Sequence, residues 1–328
     1  MNGRIEKEIE AKKAMEKKLS KLPDIFTSFY NWMDARDKTY TTMNNYINHV
    51  VDFMEYYTKG KNNKTFYKSV TDEDIERYMT HIKRRYVNGE KIETGDDIRA
   101  ARWSSLNTFY KFLTQKKYIQ ENPMLQTERP KIRTKHSVTY MTPEEINSVF
   151  ARIEKEGRPM TKNRDACIVA LGLGTGLRVS AIVNINVEDI DFKTSTIKVI
   201  EKGRKTREIK FSNHLRKALL VWYKDRELFF GGEETGPLFI SQKKNRTSVD
   251  SVQAVVKKYT DPLSKHITPH KLRSSAAMNL YGSGVGILTI ASILGHENIT
   301  TTQRYTEAYE EEKQNATSIL DNFISKGE

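Results

Sequence analysis

At 328 residues, with 37% apolar side chains, the chain is long enough for two domains that each bury a core, which excludes a disordered protein. Fifty-five lysines and arginines against 42 acids give a formal charge of +13 and favour a polyanionic partner, nucleic acid first. The single cysteine excludes an internal disulfide or a cysteine-based zinc site, and no apolar run reaches the roughly 20 residues of a membrane span.

The stretch from Asn2 to Lys18 is charged throughout and lacks the apolar core of a secretory signal, so a soluble, cytoplasmic protein is expected. Residues 1–20 read as a charged helical extension, solvated rather than packed. From Pro23 onward, apolar residues take helical spacing in four sets. These are Ile25, Phe26 and Phe29; then Tyr46, Ile47, Val50, Val51 and Met54; then Ile75, Tyr78, Met79 and Ile82; then Ile98, Leu106, Phe109, Tyr110 and Leu113. Thr71 followed by Asp72, Glu73 and Asp74 marks a helix start, and Asn88-Gly89 a helix stop. Residues 21–122 are therefore predicted to form a compact four-helix domain.

The apolar periodicity then fails. Residues 123–138 contain Pro123, Pro130 and a basic run of Arg129, Lys131, Arg133 and Lys135, the composition of an interdomain linker. A solvated face and a crossing of a DNA backbone both fit that run.

The second domain, 139–328, opens at Thr142-Pro-Glu-Glu145, where a capping threonine precedes a first-turn proline and two acids. A helix follows through Cys167, a small core residue. Gly172, Gly174 and Gly176 are expected to break the chain before Arg178; they lack the strand, lysine and hydroxyl residue of a phosphate-binding loop, so no nucleotide site is expected. Ile190 to Phe192, Thr196 to Ile200 and Thr206 to Phe211 alternate as a small antiparallel meander. Thr268-Pro269 starts a helix that puts His270 in its first turn and Arg273 one turn on, along the same face. Gly295 ends a helix ahead of His296, and Thr300, Thr301 and Thr302 cap a short helix carrying Tyr305. Between Asn315 and Ser325, the apolar residues Ile319, Leu320, Phe323 and Ile324 line one helical face. The fold class is mainly α with a small antiparallel sheet.

Five local strings carry the chemistry: Thr175-Gly-Leu-Arg178-Val-Ser, Glu201-Lys202-Gly-Arg-Lys, His270-Lys-Leu-Arg273, Leu294-Gly-His296 and Thr301-Thr-Gln-Arg-Tyr305. In order and spacing they resemble the tyrosine recombinase (phage integrase) family, including its Xer-type members, over Thr175 to Tyr305. The resemblance implies a catalytic set of Arg178, Lys202, His270, Arg273, His296 and Tyr305. Attack on a phosphodiester builds negative charge on the non-bridging oxygens, and paired guanidinium groups such as Arg178 and Arg273 suit that charge. A phenol titrates near ~10, so a tyrosine nucleophile needs cationic surroundings or a base. By resemblance, Tyr305 forms a 3′-phosphotyrosyl link, His270 handles a proton near it, His296 donates to the phosphate and Lys202 protonates the departing 5′ oxygen. Lys205 is the rival for that last role, and Tyr309 the rival for the nucleophile.

His266 and His270 have metal-like spacing, but Pro269 interrupts a common helix and no third ligand is evident, so neither a metal nor another cofactor is expected. Fold analogy places Thr41, Thr42 and Asn45 at the start of one DNA-facing helix and Arg99 and Arg102 at the start of another, with Arg133 contributing from the linker. The resemblance further implies two domains forming a C-shaped clamp around duplex DNA. Four protomers would act on two sites through a Holliday junction, each a monomer or weak oligomer when free. With no evident arm-binding domain ahead of Pro23, a simple Xer-like or mobile-element recombinase is expected. The alternatives are a type IB topoisomerase-like relaxase and a catalytically idle DNA-binding regulator. Two positions depart from the family pattern: Ala181 stands where an acid is common three places after the first arginine, and Ser274 where a histidine often follows the second.

Overall fold

The computed structural model describes residues 12–61, 63–87, 90–131, 138–200, 206–231, 235–241, 243–296 and 298–325. The chain divides into two compact units, Met1–His136 and Ser137–Glu328.

The first unit holds the four expected helices: α2 (Asp24–Asp34), α3 (Tyr40–Thr58), α4 (Asp72–Lys83) and α5 (Asp96–Gln115). Thr71 and Asp74 close the start of α4 reciprocally, each side chain accepting the other's backbone N–H, at 3.3 and 3.0 Å. The four helices bury an aromatic core in which Phe109 lies edge-on to Phe29, with centroids 5.1 Å apart, and stacks on Phe26. Helical residues 12–19, α1, are less solvated than expected of a charged extension, because Met15 and Leu19 are buried in that same core. Charged residues between them occupy the outer face, as an amphipathic helix requires.

The helix before Asn88-Gly89 ends sooner than expected, at Lys83, and the chain continues as a hairpin. Strand β1 (Arg84–Val87) pairs antiparallel with β2 (Glu90–Glu93), from Arg84 opposite Glu93 to Val87 opposite Glu90. Asn88 and Gly89 lie outside the described residues, but an Asn-Gly pair flanked by strand residues is also a two-residue hairpin signature.

In the second unit, α6 (Pro143–Glu156) starts with the capping box of Thr142 and Glu145. It leads to α7 (Lys162–Thr175) and the short α8 (Val179–Asn184). Strands β3 (Ile190–Asp191), β4 (Thr196–Ile200) and β5 (Thr206–Lys210) form the expected antiparallel meander, with Thr196 opposite Lys210 and Ile200 opposite Thr206. Helices α9 (Asn213–Phe230), α10 (Val249–Thr260), α11 (Pro269–Gly282), α12 (Ile287–Leu294) and α13 (Thr300–Ser325) complete it. Helix α11 packs against α7, α12 and α13, so these surround the segment that carries His270 and Arg273.

Two expectations for this unit change. Gly172 and Gly174 lie inside α7, and only Gly176 ends it. Gly172 serves close packing instead, since a Cβ there would come within 2.8 Å of Leu272 Cδ1 on α11. The helix carrying Tyr305 is not short: it runs 26 residues to Ser325, continuous with the segment expected to form a separate tail. The side chains of Ile319, Leu320, Phe323 and Ile324 lie outside the described residues.

Candidate active site

The left-handed backbone of Gly176, at φ 60°, turns the chain out of α7. A Cβ there would meet Leu294 Cδ2 at 2.3 Å, so the turn both needs and fits a residue without a side chain. The turn buries Leu177 and makes Arg178 the residue that precedes α8, where it is exposed.

Pro269 at the first turn of α11 sets His270 at the surface and Arg273 one turn deeper. Arg273 is only 1% exposed, and its Nη1 donates to the Gly176 carbonyl at 2.7 Å. One buried guanidinium thus anchors the turn that presents the other.

Gly295, again left-handed at φ 67°, closes α12, and the His296 N–H returns to the Ala291 carbonyl at 3.0 Å. His296 Nδ1 lies 2.6 Å from the hydroxyl of buried Thr302 in the first turn of α13. Partial burial, then the charges of Arg273, Arg178 and Arg304, push the His296 pKa down to about 4. His270 shifts the same way through desolvation and the positive charges of Arg304, Arg273, Lys271 and Arg178. Because His270 is open to solvent, the four cations are the firmer part of that cause.

Tyr305 sits in the second turn of α13 and is fully buried. Its ring packs with Ala277 and Met278 of α11 and with Ile290 and Leu294 of α12. Its hydroxyl accepts from Arg304 Nη2 at 3.1 Å, and the same nitrogen lies 3.2 Å from His270 Nε2. Tyr309, one turn on, stands edge-to-face against Tyr281 at 5.2 Å. Five of the six expected catalytic residues are thereby brought together from four segments of chain. Lys202 and its rival Lys205 lie outside the described residues.

The expected DNA-facing residues fall on α3 and α5 of the first unit. Thr41 and Asn45 are exposed, while the Thr42 N–H is capped by Thr39. Arg99 pairs with Asp96, and Arg102 bonds Asp52 at 2.7 Å and the Tyr78 hydroxyl at 2.8 Å. Arg133 lies outside the described residues. Among the described residues, no group of three or more His, Cys, Asp or Glu side chains is placed to hold a metal ion, and no helix is long and apolar enough to cross a membrane.

Residues 139–312 match the phage integrase family. The chain belongs to that family. Its members named as tyrosine recombinase XerC include one from Caldanaerobacter subterraneus subsp. tengcongensis, 37% identical over 73% of this chain and 65% of its own length. Another, from Haemophilus influenzae, is 31% identical over 73% of this chain and 81% of its own length. The fold agrees with the crystal structure of XerH site-specific recombinase bound to a palindromic difH substrate, with a TM-score of 0.67 at 20% identity over 88% of this chain and 82% of that one. As a phage integrase family member, the protein is a tyrosine recombinase, an enzyme of site-specific DNA recombination.

Two arginines of this recombinase were not singled out in its sequence. Arg304 stands inside the tyrosine string, where its charge reads as ordinary surface. Arg207, at the start of β5, donates to the carbonyls of Ser292 and Ile293 at 2.8 and 2.9 Å, binding the strand to the end of α12 just before His296. Neither contact has a local sequence signal, since its partners lie 34 and about 85 positions away.

Proposed function

We propose that Tyr305 is the nucleophile that cleaves one strand of duplex DNA and that Arg178 and Arg273 hold the scissile phosphate. In the step, the Tyr305 oxygen bonds to phosphorus and the bond from phosphorus to the 5′ oxygen breaks. The phenolic proton passes to His270, Lys202 protonates the leaving 5′ oxygen, and His296 donates to a non-bridging oxygen. Reversal with a partner strand's 5′ hydroxyl rejoins the DNA, so bond energy is conserved in the phosphotyrosyl link and no nucleotide is consumed.

The observation that carries this reading is the cluster of three guanidinium groups, Arg178, Arg273 and Arg304, around the imidazoles of His270 and His296, with Arg304 donating to the Tyr305 hydroxyl and Arg273 tied to the Gly176 turn. Such cations, fixed before the substrate arrives, meet the charge that develops on the phosphate. The remaining roles extend this reading. The first unit, through Thr41, Thr42, Asn45, Arg99 and Arg102, and the basic run including Arg133 grip the DNA backbone. Four protomers act on two sites through a Holliday junction, in the cytoplasm.

The test is to incubate the full chain with genomic DNA from its source, denature the mixture, capture protein-bound fragments and map both attachment points. An adduct at Tyr305 on a discrete sequence is expected, and none with Tyr305→Phe. Adducts at wild-type level from Tyr305→Phe would overturn the assignment. Relaxation of supercoiled DNA without joining of two sites would replace recombination with a relaxase activity.

A further inference from the structure

Arg304 touches both the Tyr305 hydroxyl and the His270 ring through the single nitrogen Nη2. A guanidinium has donors and no acceptor, so each contact fixes the partner's role. The Tyr305 oxygen must accept, which leaves its own proton directed elsewhere. His270 Nε2 must also accept, which requires a neutral ring with its proton on Nδ1. A protonated His270 would set an N–H against an N–H and a positive charge against a positive charge.

We propose that Arg304 is a positioning residue for strand cleavage, orienting the Tyr305 hydroxyl and fixing His270 as the neutral imidazole with its proton on Nδ1 and its lone pair on Nε2, which takes the phenolic proton once the Arg304 N–H has moved off it. The proposal rests on the recombinase reading above and adds a residue and a function to it. Without Arg304 the imidazole is free to exchange tautomers, and only one of them can take the phenolic proton at Nε2. The groups facing His270 are Arg304 from α13, Arg273 and Lys271 from its own helix, Arg178 from the turn before α8, and His296 beyond α12. All four charged neighbours are cations. Arg304 is exposed, so its replacement leaves the apolar core intact.

The test has one arm without DNA. In the full-length protein labelled with nitrogen-15 in histidine, His270 is assigned by its loss in His270→Gln. Wild type should show the Nδ1–H tautomer and a midpoint below that of an ordinary histidine. In Arg304→Gln the midpoint should rise and the two tautomers mix. In Arg304→Lys the midpoint should stay low, because the charge persists, while the tautomer signature weakens because the planar fork is gone.

The second arm uses a nicked duplex oligonucleotide copied from the genomic site at which the wild-type adduct maps. Adduct formation by Arg304→Gln should fall on the order of tenfold, the usual scale for one charge-assisted hydrogen bond, with the acid limb of its pH profile moved to higher pH. Wild-type rate and pH profile in Arg304→Gln would overturn the proposal. So would a slow variant with unchanged His270 titration and tautomer, which would make Arg304 merely structural. If wild type forms no adduct on genomic DNA, the recombinase reading fails instead, and the nitrogen-15 spectra still decide what Arg304 does to His270.

Discussion

The buried Arg273 guanidinium and the left-handed Gly176 share one hydrogen bond of 2.7 Å, and through it the deepest cation of the site holds the turn that aims Arg178. Gly176→Ala would strain that backbone and press a methyl group into Leu294, costing about 2–4 kcal/mol of stability. Arg273→Ala should lower cleavage by at least ~10²-fold, the scale for one preorganised donor. Denaturant titration and single-turnover adduct formation check the two. Arg178 should become less effective in both variants, so adding Arg178→Ala to either should cost less than it does in wild type.

His296 provides a proton-linked prediction. Its folded-state pKa is depressed to about 4, whereas an unfolded histidine titrates near ~6.5. The unfolded chain therefore binds a proton in that window and the folded chain does not, so stability should fall as pH drops from about 6.5 towards 4. His296→Gln should remove that part of the slope. A phosphate beside His296 would favour its charged form, so DNA binding near pH 5.5 should take up a proton. Calorimetry in buffers of different ionisation enthalpy measures that uptake, and its persistence in His296→Gln would assign it elsewhere.

Arg207 holds the last carbonyls of α12 from across the sheet, where a cation also complements the helix dipole. Arg207→Met keeps the stem and deletes both bonds. A stability loss of about 1–2 kcal/mol is expected, with a larger proportional loss of cleavage because His296 follows directly. Strand β5 begins four residues after Lys202 in sequence, so a substrate whose bridging 5′ oxygen is replaced by sulfur, which leaves without protonation, tests whether Arg207→Met also disturbs the leaving-group side. No rescue of Arg207→Met on that substrate would confine its effect to the His296 side, and full rescue would place it on protonation of the leaving group.

In the first unit, Arg102 is shared between Asp52 and Tyr78, so a phosphate must compete with a carboxylate for it. Asp52→Asn should tighten DNA binding at low salt, and Arg102→Ala should flatten the salt dependence by about one unit of slope. Unchanged affinity and slope in both variants would place the DNA on another face.

Much of the architecture was legible because it is written locally. Thr71 and Thr142 cap helices through residues three positions away, Pro143 and Pro269 occupy first turns, and Gly176 and Gly295 take the left-handed conformation that a helix end requires. The catalytic strings were legible for the same reason. What escaped were choices made by distant parts of the chain. Gly172 resembles a breaker until Leu272 of another helix is seen against it, and Asn88-Gly89 reads equally as a helix stop or a hairpin turn. Met15 and Leu19 look isolated among charges until the aromatic core they join is assembled. Arg304 and Arg207 gain meaning only from partners that the fold supplies.

Helix α13 begins five residues before Tyr305 and continues without interruption to Ser325, a rod of about 39 Å at the usual rise per residue. Its first turns pack against α11 and α12, and near its middle the Tyr140 hydroxyl donates to Glu312 at 2.7 Å, so the rod is held over its first half. A lever held in this way converts a small push at its far end into torque at the clamp, where the reactive oxygen sits about one turn inside. Force on the last turns of the helix would reach the phenol as rotation of a stiff body, with no hinge between to dissipate it. A pair of glycines placed midway should uncouple the two ends while leaving each in place.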